Sequence, residues 1–290
     1  MKYFELFDEA RNHIPEHEAR ELLLWASNQN MAQLLARFTD DADDKTEQCF
    51  HSAVNERADG KPLQYITHNQ NFCGLDFYVD ENVLIPRYDT EVLVEKVLED
   101  THQQHTATDE NTPNHKQNDD IKKSEVVSLL DICTGSGCIA VALAKLGGFQ
   151  VTAGDISRNA LMIADRNAQA NGVEITFYES DMFEQIADRD FDIIVSNPPY
   201  VRRSVIETLG RDVKDFEPRL ALDGDEDGLK FYRIIAEKAP EFLKRGGRLY
   251  LEIGYDQAEE VKALLEKNGF HDVTVTKDLS GLDRVVRAEL

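Results

Sequence analysis

The sequence predicts an α/β protein: a doubly wound, mainly parallel sheet of seven strands with an antiparallel last strand, preceded by a small helical bundle. Three observations predict it. From Glu125 onward, short apolar runs alternate with segments of helical periodicity, the pattern of a parallel sheet covered by helices. Residues 1–70 carry apolar side chains at helical rather than alternating spacing. The last two strand-like runs, residues 273–276 and 284–288, are separated by Asp278-Leu279-Ser280-Gly281 with no helix between them, so they should pair antiparallel.

Taken in order, residues 18–24 and 31–38 group Leu22, Leu23 and Trp25, then Leu34, Leu35 and Phe38, with Asn28 and Asn30 as punctuation. Residues 45–57 make a third helix, ended by Asp59-Gly60 and Pro62. Residues 72–84 mix Phe72, Leu75, Phe77, Val79 and Val83 with Gly74 and Asp80, which reads as a β-hairpin. Residues 89–98 are helical. Residues 101–124 hold His102, His105 and His115 among Asn, Gln, Asp and Thr, with too few apolar side chains to order themselves, so a mobile insertion is expected. A histidine metal site there lacks a scaffold to fix its ligands, and no metal is expected. Strands then follow at 126–132, 151–153, 175–178, 191–195 and 248–253, with helices at 138–146, 158–170, 228–243 and 257–267. The expected domains are 1–70, a docking bundle; 71–88, a hairpin linker; and 89–290, the α/β domain.

Composition narrows the function. A chain of 290 residues that is 41% apolar can bury a core, which excludes global disorder. Its formal charge of −23 opposes binding to phosphate backbones and anionic lipid and suits a basic partner; it also serves solubility. Up to Gly60, thirteen acidic residues face six basic ones. Cys49, Cys73, Cys133 and Cys138 form no Cys-x-x-Cys pair, which argues against a zinc ribbon and for a reducing compartment. No run approaches the length of a membrane span. The N-terminal residues, interrupted by Glu5, Asp8 and Glu9, lack the apolar core of a secretory signal. A cytoplasmic location is expected.

Four motifs carry chemistry. The first, Asp131-Ile132-Cys133-Thr134-Gly135-Ser136-Gly137-Cys138, follows a strand and opens a helix, where backbone can approach a ligand. It lacks the third glycine of a dinucleotide fingerprint and the lysine of a phosphate loop, so a nucleoside without pyrophosphate fits better. Asp131 stands where it could bind an ammonium group. Ordinary dihedrals are expected at Cys133, since cysteine resists positive φ. The second is Asp155, twenty residues after Gly135, which either accepts from both ribose hydroxyls or caps the following helix. The third is Asp181-Met182: an acceptor for an adenine amine and a side chain for the purine face, or a plain loop carboxylate and a core methionine. The fourth and most specific is Asn197-Pro198-Pro199-Tyr200. Its prolines remove two donors and leave carbonyls free, so that Asn197 and Pro198 can converge on a planar NH₂ group while Tyr200 stacks on it.

That order of motifs resembles the class I S-adenosylmethionine-dependent methyltransferases that modify planar amide or amine nitrogens. Leu84-Ile85-Pro86-Arg87-Tyr88-Asp89-Thr90-Glu91 and Phe216-Glu217-Pro218-Arg219-Leu220-Ala221-Leu222, with the helical N-terminal region, resemble the PrmC/HemK family from about Glu18 to Leu290. Asp278-Leu279-Ser280-Gly281 through Val286 resembles its last hairpin. Tyr88 and Cys133 depart from the family pattern, which has proline and glycine there. The resemblance implies a class I, Rossmann-like methyltransferase fold. It implies methylation of N5 of the glutamine in the Gly-Gly-Gln motif of class-1 peptide chain release factors, by a monomer acting without direct nucleic-acid or membrane contact. It implies S-adenosylmethionine bound by Cys133, Thr134, Gly135, Ser136, Gly137, Asp155, Met182 and Asn197, to which physical reasoning adds Asp181. Asn197, Pro198 and Tyr200 are the implied catalytic residues, and with Pro199 they bind the glutamine. Arg87 and Thr90 stand near cofactor or glutamine, unless Arg87 serves a structural salt bridge. Competing readings are an adenine-N6 methyltransferase of DNA or RNA, which should show a basic face, a glutamine methyltransferase of another protein, and a cofactor-binding regulatory subunit.

Overall fold

The computed structural model describes residues 1–109 and 126–290. Five helices come first: α1 (Tyr3–Ala10), α2 (Glu16–Ser27), α3 (Met31–Ala36), α4 (Asp44–Ala58) and α5 (Leu63–Thr67). Their shared core includes Tyr3, Leu6, Leu22, Leu23, Leu34, Phe50 and Val54. Sequence reasoning missed α1 and α5, which are short and draw their stability from that packing. Caps set the boundaries of others. Asn30 and Gln33 form a reciprocal capping box at α3, and the Asp43 side chain accepts from Thr46 N–H at α4.

The hairpin is shorter than expected: β1 (Gln70–Phe72) and β2 (Leu75–Phe77) turn at Cys73-Gly74. Phe72 and Phe77 are buried in the core of the α/β domain, so the hairpin packs as part of that domain. Tyr65 of α5 donates to Val83 O at 2.5 Å, tying the bundle to the segment that leaves the hairpin. α6 (Tyr88–Asp109) runs past the expected stop at 98, so residues 101–109 are helical rather than loop. The remainder of the expected insertion lies outside the described residues. Among the described residues no cluster of His, Cys, Asp and Glu could hold a metal ion, and no helix is long and apolar enough to cross a membrane.

Then β3 (Ser128–Ile132), α7 (Cys138–Gly147), β4 (Gln150–Asp155), α8 (Arg158–Asn171), β5 (Ile175–Glu179) and β6 (Phe191–Ser196) alternate as the sequence predicts. Two short helices that sequence reasoning missed, α9 (Arg203–Ile206) and α10 (Arg211–Lys214), precede α11 (Lys230–Lys238). β7 (Leu243–Glu252), α12 (Ala258–Lys267), β8 (His271–Lys277) and β9 (Asp283–Glu289) follow. The expected helix at 228–243 is shortened, because Pro240 removes a backbone donor and Leu243 already starts β7.

The seven strands lie in the order β5-β4-β3-β6-β7-β9-β8, parallel except β9, which runs antiparallel between β7 and β8. Side chains alternate between the faces. Leu130, Ile132, Ile194, Leu249 and Leu251 meet Tyr232, Ile235 and Leu265 on one side. Leu129, Val151, Ile193 and Val195 meet Leu93, Val97, Ile139 and Leu143 on the other. From β3 the chain moves outward through β4 and β5, then returns to β3's opposite flank with β6. The carboxyl ends of β3 and β6 are therefore a topological switch point, where open α/β sheets bind ligands.

Candidate active site

At that switch point the Ser196 hydroxyl donates to Ile132 O at 2.6 Å, joining the ends of β6 and β3. The chain leaving β3 turns sharply, with Cys133, Gly135 and Gly137 all at positive φ. The expectation for Cys133 is thus overturned, since its φ is +63°. The turn imposes a left-handed residue at this position whether or not glycine occupies it, at a cost of roughly 1–2 kcal/mol. Thr134 N–H donates to Gly154 O, and Gly137 N–H to Thr134 O, so backbone bonds on both sides lock the turn. Gly137 also meets a packing demand: a Cβ there would come 3.0 Å from Ala164 Cβ.

Asp131 is fully buried beneath this turn. Its Oδ2 accepts from the Thr134 hydroxyl at 2.6 Å, while Oδ1 has no partner among the described residues. Burial pushes its pKa up to about 7, against the pull of Thr134. Asp155, at the end of β4, accepts from Gly135 N–H through one oxygen and from Ser157 N–H through the other, both at 2.9 Å. Burial raises its pKa despite these bonds. Ser157, not Asp155, caps α8, accepting from Ala160 N–H.

A cavity of about 230 Å³ opens between these parts. Cys133, Gly135, Asp155, Asp181, Met182 and Pro199 line it, so six of the sequence-predicted site residues are brought together. Thr134, Ser136 and Gly137 do not line it; they are the framework of the turn. Met182 is buried at a φ of +50°, and its sulfur lies 3.8 Å from the Cys133 thiol. Asp181 is exposed. Sequence reasoning missed other wall residues, among them Val83, Leu84, Ile156, Leu220 and Phe231. Two of them, Leu84 and Leu220, belong to the segments 84–91 and 216–222 that carry the family resemblance, which was the available signal.

Asn197 and Tyr200 are half-buried, and Pro198 and Pro199 are buried; Pro199 alone of the four lines the cavity. Asn197 Nδ2 donates to the Thr90 hydroxyl at 3.3 Å. The Tyr200 hydroxyl donates to Glu252 Oε1 at 3.2 Å, and burial raises its pKa. Gln257 Nε2 donates to the carbonyls of Tyr200 and Gly228, holding the loop onto the end of β7. A Cβ on Gly228 would lie 2.5 Å from Tyr200 O, so only glycine allows this approach. Glu252 and Gln257 escaped sequence reasoning, because their roles need contacts across more than fifty residues. Arg87 does not line the cavity. It pairs with buried Glu217, whose pKa burial lifts to about 7 against that pairing. The structural alternative for Arg87 therefore holds.

The seven-stranded sheet, its antiparallel last strand and the nucleoside-sized cleft at the switch point define a class I methyltransferase. A methyltransferase from Pyrococcus furiosus shares this fold, with a TM-score of 0.53 at 17% identity over 75% of this chain and 90% of its own. Residues 117–213 match the methyltransferase small domain, and residues 2–67 the PrmC N-terminal domain. A release factor glutamine methyltransferase from Clostridium acetobutylicum is 36% identical over 99% of this chain and 96% of its own length. One from Geobacter sulfurreducens is 45% identical over 80% of this chain and 75% of its own. The chain belongs to the release factor glutamine methyltransferase family.

Proposed function

We propose that the protein transfers the methyl group of S-adenosylmethionine to N5 of the glutamine in the Gly-Gly-Gln motif of class-1 peptide chain release factors. The observation that carries this reading is the placement of Asn197-Pro198-Pro199-Tyr200 at the carboxyl end of β6, with Pro199 on the cavity wall and the Asn197 amide nitrogen already engaged by Thr90. That bond leaves Asn197 Oδ1 for a substrate amide.

The residues present suit the cofactor. Asp155 borders the cavity with acceptor capacity left for a ribose diol, and Met182 offers an apolar face for a purine. The unpartnered Asp131 oxygen suits an ammonium group. Cys133, Thr134, Gly135, Ser136 and Gly137 shape the approach, and Asp181 is an acceptor for the adenine amine. Bound there, S-adenosylmethionine supplies an electrophilic sulfonium methyl group.

An amide nitrogen is a poor nucleophile because its lone pair is delocalised. In this reading, the Asn197 side-chain oxygen and the Pro198 carbonyl accept the two amide hydrogens of the substrate. They orient its lone pair and stabilise the positive charge that develops on nitrogen. Tyr200 packs on the amide plane, and Pro199 keeps water from that side. The proton can leave after transfer, so no general base is required beforehand.

The protein is proposed to work as a monomer in the cytoplasm, with the release factor itself as partner rather than nucleic acid or membrane. The −23 charge supports a basic protein partner through electrostatic attraction. The test is transfer of labelled methyl to a purified release factor, beside the same factor with its Gly-Gly-Gln glutamine changed to alanine. Label on the first alone is expected. Label on both, or on neither while the cofactor binds, overturns the assignment.

A further inference from the structure

Two sulfur atoms meet at the cavity wall. The Cys133 thiol, on the turn after β3, donates to the Met182 sulfur at 3.8 Å, a weak donor against a soft acceptor. Both residues line the cavity. Both hold positive φ, +63° at Cys133 and +50° at Met182. Glycine would take that conformation at 133 freely, so the strain there comes from carrying a side chain. Each loop is tied by its backbone to β4: Thr134 N–H donates to Gly154 O at 3.1 Å, and Ser180 N–H to Asp155 O at 2.9 Å. The sulfur contact joins the two loops directly. The backbone of Met182 is held as well. The Ser180 hydroxyl donates to Met182 O at 2.8 Å and accepts from Gln185 N–H at 3.0 Å. Ile132, Phe183 and Ile186 share the buried cluster of the Met182 side chain, and Cys133 meets it at the cavity wall.

Methionine is unbranched and turns about three bonds. A ligand that stacks on it must still those torsions, and a contact that stills them beforehand removes part of that loss. We infer that Cys133 is a positioning residue for the cofactor: its thiol holds the Met182 thioether in place as the apolar wall on which the purine of S-adenosylmethionine lies. This inference rests on the purine-facing role proposed for Met182. Burial lifts the Cys133 pKa well above the ordinary thiol range, so the thiol keeps the proton it donates. The strain at 133 and the contact to 182 belong together. The turn carries a side chain at positive φ, and that side chain reaches the neighbouring loop. Glycine at this position would relax the turn and leave the Met182 sulfur without its donor.

The test compares Cys133→Ala, Cys133→Gly and Met182→Leu in calorimetric titrations with S-adenosylmethionine. Cys133→Ala keeps the Cβ and the backbone strain and removes the thiol. It is expected to raise the Kd about three- to tenfold, the scale of one lost preorganising contact, with kcat at saturating cofactor nearly unchanged. Met182→Leu keeps the apolar volume and removes the acceptor. In that background Cys133→Ala should add nothing further, since the thiol has no thioether left to hold. Cys133→Gly should melt at a higher temperature than Cys133→Ala, because it sheds the strain, and still bind no tighter than Cys133→Ala. The methionine methyl signals, followed by NMR in the protein without ligand, read the contact independently of binding. Met1, Met31 and Met162 are exposed and Met182 is buried, so the buried methyl signal is its own. That signal should shift in both Cys133 variants. Parental affinity in Cys133→Gly, full additivity with Met182→Leu, or an unmoved Met182 signal in both Cys133 variants overturns the inference. If the parent protein binds no S-adenosylmethionine, the cofactor reading fails and the methyl signal alone decides whether Cys133 holds Met182.

Discussion

In the helical bundle, Phe50, Leu22 and Leu23 are buried among apolar neighbours, and ion pairs such as Arg20–Glu16 lie at the surface. Around the cavity the pattern is reversed. Asp131 and Glu252 are buried, each with one oxygen lacking a partner among the described residues, and Cys133 and Met182 sit at positive φ. In the bundle the one buried side-chain atom without a partner among the described residues is an uncharged amide oxygen, on Gln29. The sheet edge carries desolvation cost and backbone strain that its own contacts leave unrelieved, which is where a ligand has something to gain. The comparison separates two kinds of residue: those whose loss unfolds a region and those whose loss spares the fold and stops the chemistry.

The largest expected effect is in the bundle. Phe50→Ala should cost about 3–5 kcal/mol and melt the bundle, as seen by calorimetry. S-adenosylmethionine affinity should persist, because the cavity is built from the α/β domain. Loss of both together would mean the bundle supports the cavity directly. Asn197→Ala comes next, on the opposite side. Turnover should fall by roughly 10²–10³ with cofactor binding and melting temperature little changed. An equal loss of turnover and cofactor affinity would remove the substrate role given to Asn197.

Gly137→Ala sharpens the boundary between the two kinds. It forces a side chain to positive φ and onto Ala164, so about 1–3 kcal/mol of stability should go and cofactor affinity should weaken with it. The smallest effect is in pH dependence. Asp131 has a folded pKa of about 7 against an ordinary value of 3.8, so the folded state holds a proton that the unfolded chain releases. Its contribution to stability is complete below about pH 4 and is lost as pH rises toward 7. In Asp131→Asn, the fall in melting temperature over that window should be shallower than in the parent protein. Identical slopes would show that Asp131 ionises in the fold as freely as in the unfolded chain.

Much of the fold was legible in the sequence because buried parallel strands announce themselves. Residues 191–195 are an apolar run that lies inside β6, and the strand expected at 248–253 falls within β7 except for Ile253. Helices were harder where they are short. α1 buries Tyr3, Leu6 and Ala10, but eight residues give one apolar face too little length to stand out. The site was legible where a motif is local in the chain, as in the glycine turn and Asn-Pro-Pro-Tyr. It was illegible where a group acts across the fold. Glu252 reaches Tyr200 over 52 residues and Asn197 reaches Thr90 over 107, and no spacing in the sequence announces such a meeting. Cys133 misled for a related reason: its residue type argues against positive φ, and the geometry of the turn overrules it.

The position of β9 bears on how the chain is made. β9 is the last strand in chain order, yet it lies between β7 and β8, and Glu252 pairs with Val285 within it. During synthesis β7 emerges first and must wait with an open hydrogen-bonding edge, while β8 has no place in the sheet at all. Until residues 283–289 leave the ribosome, the edge that carries Glu252 is unfinished and exposed to strand pairing with other chains. A chain lacking residues 283–289 would leave the β7 edge beside Glu252 without its strand partner.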